Sequence, residues 1–174
     1  MAYVVNPHTW MDSEGLISKG CTDDGGWYYG LQPSNLVDSN GNRLSSIDME
    51  RNHIPPKAAW KDITDPGFYR AGKPHKKQKV NYGPAIRMEL KDHEQLRSSG
   101  YDIQAQAWQT WQRELVSQGK LTEAMKMDIG DIKHKFPGKY DQHIEDMVAS
   151  LKDNKPLQDM LAKRGWTINE AALL

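Results

Sequence analysis

Between Asp102 and Gly165 apolar side chains recur at helical spacing, and before Asp102 they do not. That division constrains the fold, because a stripe repeating every three or four residues buries itself as a helix, whereas a polar, turn-rich stretch supports only short strands. Ile103, Ala107, Trp111 and Leu115 predict one helix, capped by Asp102 and stopped by Gly119. Leu121, Ala124, Met125, Ile129 and Ile132 predict a second over residues 121–134, which Pro137-Gly138 ends. Ile144, Met147, Val148 and Leu151 begin a third, and a short fourth runs from Pro156 to Arg164 before Gly165. Trp108 and Trp111, three apart, are expected in the core rather than as a stacking surface.

Upstream, residues 82–90 alternate and predict a strand stopped by Lys91-Asp92, with Gly83-Pro84 suited to an edge or a strand start. Residues 54–80 carry Pro55, Pro56, Pro66 and Pro74 without periodicity, and predict a long loop with a short helix near residues 57–62. In residues 6–49, Asp23-Asp24-Gly25-Gly26 and Asn40-Gly41-Asn42 read as turns. Trp27-Tyr28-Tyr29 and Leu36-Val37 read as short strands, with Asn40-Gly41 as a hairpin tip. A short strand region followed by helices is an α+β fold.

At 174 residues the chain makes one domain, or one domain with an extension. Its hydropathy is low, but six Trp and seven Tyr give it rings to bury, so it is expected to fold. No stretch approaches the roughly 18 apolar residues of a membrane span. The first residues lack the basic and apolar regions of a signal peptide, and neither a membrane protein nor a conventionally secreted one is expected. One cysteine, Cys21, excludes an internal disulfide framework and a Cys-rich zinc site, so metal chemistry would have to use His and carboxylates.

The zero net charge hides an asymmetry. Residues 1–50 hold two basic and seven acidic side chains, residues 51–97 eleven and five, and residues 98–174 ten and eleven. Arg70, Lys73, Lys76, Lys77 and Lys79 fall within ten positions and form a candidate nucleic-acid footprint, competing with the plain reading of a solvated loop.

The histidines carry the most specific signal. Glu50-Arg51-Asn52-His53-Ile54-Pro55 precedes the long loop, and Lys91-Asp92-His93 follows the strand. A histidine titrating near 6.5 can take a proton from water, and a divalent cation can stabilise charge developing on a phosphate. In this pattern His53 is the candidate general base, and Glu50 and His93 are candidate ligands or orienters. Arg51, Lys57, Arg70, Lys73, Lys76, Lys77 and Lys79 would hold a nucleic-acid backbone, with His75 touching phosphate. His8, His134 and His143 read as structural or surface residues.

Glu50-Arg51-Asn52-His53-Ile54-Pro55-Pro56-Lys57-Ala58-Ala59, Gly83-Pro84-Ala85-Ile86, Lys91-Asp92-His93, Ser98-Ser99-Gly100-Tyr101, Met127-Asp128-Ile129-Gly130-Asp131-Ile132 and Lys139-Tyr140-Asp141 together resemble the nuclease toxin domains of bacterial polymorphic toxin systems, in the HNH/endonuclease VII superfamily. The resemblance spans about residues 49–151 and leaves the first 48 unexplained. It implies a small ββα-metal core with additional C-terminal helices over residues 49–174, preceded by an irregular N-terminal extension, 1–48. His53 would end the first strand, residues 82–90 form the second, and His93 open the helix. It also implies cleavage of DNA, ahead of RNA, with Mg²⁺, Mn²⁺ or Zn²⁺. The position before the base, Asp or His in many members, is Asn52 here, which makes Asn52 a weaker candidate metal ligand beside His93 and Glu50. The partners implied are nucleic acid, a cognate immunity protein and a secretion-system carrier or adaptor. On this reading the protein is made in the cytoplasm, exported without a signal peptide, and acts in the cytoplasm of a target cell. The rival readings are a non-catalytic nucleic-acid or protein-binding module and an immunity or adaptor protein; the basic middle segment argues against the last.

Overall fold

A computed structural model describes residues 24–31, 49–63, 65 and 82–174. Its described residues form an α+β fold. Three antiparallel strands, β1 (Gly25–Trp27), β2 (Met49–His53) and β3 (Pro84–Glu89), lie in the order β1-β3-β2. β3 is therefore central, with its proline at the first position, where a missing N–H is tolerated. β1 comes from within the first 48 residues and belongs to the same sheet as the downstream strands.

Gly25 and Gly26, expected in a turn, lie in β1. A side chain at Gly25 would collide with the carbonyl oxygen of His143 and the amide of Met147, so the glycine is there to admit a helix rather than to reverse the chain. The expected hairpin at Asn40-Gly41 and the strand at Leu36-Val37 lie outside the described residues.

After β2 a 3-10 turn, Lys57–Trp60, buries Trp60, whose Nε1 donates to the Pro55 carbonyl at 3.0 Å. The helices are α1 (Leu90–His93), α2 (Ile103–Ser117), α3 (Leu121–Lys135), α4 (Asp141–Ser150) and α5 (Lys155–Arg164). His93 closes α1 rather than opening it, because the helix begins at Leu90, directly from β3. Asp102 caps α2 by accepting from Ala105 N at 2.8 Å, and Gly165 ends α5 at φ 64°. α4 packs on β1 and β3, and the core joins Ile86 and Met88 of the sheet to Trp60, Met125, Ile132, Ile144 and Met147.

The α2 stripe is a correction. Its buried residues are Ala105, Gln112 and Val116, while Ile103 is 86% and Trp111 59% exposed. Successive steps of four residues advance about 40° around a helix, so Ile103, Ala107, Trp111 and Leu115 spiral away from a common face.

Candidate active site

Side chains alternate along a strand, so Glu50 and Asn52 share one face of β2, and Arg51 and His53 the other. The register agrees. Asn52 pairs with Ile86 and Glu50 with Met88 on one face, and Arg51 with Arg87 and His53 with Ala85 on the other, all four partners being buried.

On the first face, β3 runs straight into α1 and brings His93 over Glu50, with Nδ1 3.0 Å from Oε2. A carboxylate can only accept, so a hydrogen bond across this contact is donated by Nδ1 and leaves Nε2 for other chemistry. The pair lines a cleft of about 720 Å³. The rest of its lining comes from the 3-10 turn and Lys61, with Pro56, Lys57 and Ala58, and from α1 onward, with Leu90, Glu94, Ser98, Ser99, Gly100, Tyr101 and Gln109.

A single helical turn cannot hold itself, so α1 needs outside support. Asp92 supplies it. Buried, it accepts from Tyr140 Oη at 2.7 Å and Lys139 Nζ at 2.6 Å, and Tyr140 Oη accepts from Glu89 N at 3.1 Å. Burial pushes the Asp92 carboxyl up, but the hydrogen bonds from Lys139 and Tyr140, with the charges of Lys139 and Lys91, outweigh it and hold it below the ordinary range. The Tyr140 phenol is pushed up to about 12 by burial and by its bond to Asp92. Lys139 also reaches Glu89 at 2.7 Å, tying the end of β3 to the start of α4.

The loop that carries Ser98 and Tyr101 into the cleft hangs from α3. Arg97 N donates to Asp131 Oδ2 at 2.8 Å, and Lys135 Nζ joins the same oxygen at 2.9 Å. Ser98 hydrogen-bonds Asp128, which is fully buried and also accepts from Trp108 Nε1 at 3.1 Å. Burial is the largest influence on Asp128, and with the nearby charge of Asp131 it outweighs the hydrogen bonds and pushes the carboxyl up to about 7. Gln112 Nε2 is committed to the Ala124 carbonyl at 3.1 Å, while Gln112 Oε1 and Asp128 Oδ2 are buried acceptors without a donor. The nearby Gln112 side chain favours the ionised form of Asp128, and burial overrides it.

On the other face of β2, His53 is buried and stacks on Tyr28, with ring centroids 4.0 Å apart and planes 11° apart. Arg51 lies 4.0 Å from the same ring and donates from Nη1 to the Tyr28 carbonyl at 2.9 Å. The structure thus brings together Glu50, His93 and Lys57 and sets His53 and Arg51 apart from them. Asn52 is buried, its Nδ2 without a hydrogen-bond partner. Arg70, Lys73, His75, Lys76, Lys77 and Lys79 lie outside the described residues. Among the described residues no three of His, Cys, Asp and Glu converge. Two donors, Glu50 and His93, are what they supply for Mg²⁺, Mn²⁺ or Zn²⁺, fewer than the three protein ligands of a catalytic zinc site.

Lys61, Ser98, Ser99, Tyr101 and Gln109 were not expected in the site. Lys61 had a signal, standing four residues after Lys57 in a predicted short helix. No protein-family model matches the chain, and comparison with curated proteins and with solved structures also finds no match.

Proposed function

We propose that the chain is a nuclease that cleaves phosphodiester bonds in the Glu50–His93 cleft. The observation that carries this reading is the 3.0 Å contact between Glu50 and His93 in a cleft walled by Lys57 and Lys61. Glu50 holds the imidazole in one tautomer and stabilises the imidazolium that forms when Nε2 takes a proton from the attacking water. Lys57 and Lys61 attract the phosphate and offset charge that builds on its oxygens. Asp92 and Tyr140 fix α1 and therefore His93; Asp128 and Asp131 fix the loop that carries Ser98 and Tyr101. The order of β2, β3 and α1, two antiparallel strands running into a short helix, is the order the resemblance calls for. But the resemblance makes His53 the base and His93 a metal ligand, so the assignment of His93 as base rests on the Glu50 contact and the cleft.

The rest of the resemblance follows as proposal: an antibacterial effector, made in the cytoplasm and exported through a carrier or adaptor, acting in a target cell and neutralised by a cognate immunity protein. Among the described residues no helix is long and apolar enough to cross a membrane.

The test is cleavage of plasmid DNA and total RNA by wild type, His93→Ala, Glu50→Gln and His53→Ala, each with Mg²⁺ and with EDTA. His93→Ala should lower the rate by about 10²–10⁴-fold, Glu50→Gln should fall between, and His53→Ala should retain activity within about tenfold. The EDTA arm decides whether a divalent ion joins the site. A folded His93→Ala that cleaves like wild type, with His53→Ala inactive, would move the chemistry to the other face of β2.

A further inference from the structure

Tyr101 lines the cleft that holds Glu50 and His93, and yet it is 94% exposed. An aromatic ring ordinarily contributes through burial, and this one has none. The backbone beneath it is nonetheless held. Its carbonyl accepts from Gln106 Nε2, Gln109 Nε2 bonds the Ser98 carbonyl at 2.8 Å, and Asp102 next to it caps α2. The ring therefore stands out from a fixed loop, in the same cleft as Lys57 and Lys61.

We infer that Tyr101 is a stacking platform for an unpaired base, and that the cleft takes single-stranded nucleic acid. This rests on the nuclease reading of the same cleft. The cleft offers Lys57 and Lys61 to the phosphate, beside the carboxylates Glu50 and Glu94, and the open ring of Tyr101 to the base. In a duplex every base face is already stacked within the helix, so a single protruding ring gains nothing from paired DNA short of flipping a base out. A single strand offers free faces, and stacking on a ring is indifferent to base identity.

The experiment uses the full chain carrying His93→Ala, so that binding is measured without cleavage. Fluorescence anisotropy is followed with labelled dT12, rU12 and a 12-base-pair duplex in EDTA. The expected result is that both single strands bind at least about tenfold more tightly than the duplex. Adding Tyr101→Ala should weaken single-strand binding by about 5- to 150-fold, the equivalent of one lost stacked base. Tyr101→Phe should keep it within about twofold, and duplex binding should be unmoved by either. The dT12 and rU12 arms tell DNA from RNA. Single-strand affinity unchanged by Tyr101→Ala, or a duplex bound as tightly as the single strands, would overturn the inference. Tyr101-dependent binding to single strands by a chain whose wild type cleaves nothing would uphold it while defeating the nuclease reading. Binding to none of the three probes would overturn it as well.

Discussion

Asp128→Asn isolates one buried carboxyl from everything else that titrates. With an ordinary value of 3.8 in the unfolded chain and about 7 in the folded one, Asp128 is neutral in both states below pH 3.8 and costs nothing there. Between these values the unfolded chain ionises first and stability drains away; above 7 the loss is complete. At about 1.4 kcal/mol for each pH unit the full effect is about 4 kcal/mol, of which roughly 3 kcal/mol falls between pH 5 and 8. Asparagine keeps the shape and cannot ionise. Its oxygen can accept from Trp108 as the carboxyl does, and its amide is a donor in a neighbourhood where Gln112 Oε1 has none. One kcal/mol is worth about 2–4 °C in a chain of this size. The melting temperature of the variant minus that of wild type should therefore grow by about 6–12 °C from pH 5 to pH 8 in scanning calorimetry. Taking the difference cancels any constant cost of the substitution and the titration of every group that does not interact with Asp128; Asp131, which does, is the exception. A difference that stays within 2 °C across that range, or one that shrinks as pH rises, would mean that Asp128 is ionised in the folded protein and that the argument from its orphaned oxygen is wrong.

Tyr140→Phe removes the hydroxyl that serves both buried Asp92 and the Glu89 amide; a hydrogen bond to a charged group is worth about 1.5–3 kcal/mol. Thermal melts should show the loss, and the rate should fall in the wild-type background but not further in His93→Ala. Gly25→Ala should lower the melting temperature by several degrees, because the methyl meets the backbone of α4 rather than a side chain that can turn away. Changing Lys73, Lys76, Lys77 and Lys79 to Gln should reduce the log–log salt slope of duplex binding by roughly 3 to 4 if all four hold phosphates; an unchanged slope would make the cluster a solvated loop.

The helical half of the fold was legible because caps and stops are local. Asp102, Gly119, Pro137-Gly138 and Gly165 each mark a boundary with a few backbone bonds, and the helices end where those residues say. What α2 buries was not legible, because its inward face is chosen by partners far along the chain. Gln112 goes inside to meet the Ala124 carbonyl, and Ile103, forgoing about 1.5–3 kcal/mol of burial, stays out. Gly25 misled for the same reason: a glycine pair reads as a turn in isolation, and only the approach of α4 reveals why no side chain is there.

The site divides along a line that the strand period itself draws. Glu50 and His53 are three apart, and three is odd, so on a strand they must point to opposite faces; only on a helix would that spacing bring them together. Once residues 49–53 are a strand, Glu50 needs another partner, and the direct run from β3 into α1 presents His93. The same parity places Asn52 beside Glu50 and puts Arg51 with His53, against Tyr28. The segments that looked like a family signature then acquire physical roles. Asp128 and Asp131 suspend the loop that carries Tyr101, while Lys139 and Tyr140 seat the turn that carries His93. Each touches the frame rather than the substrate, which is why their loss should register first in stability and in the alignment of His93, and only through these in the rate.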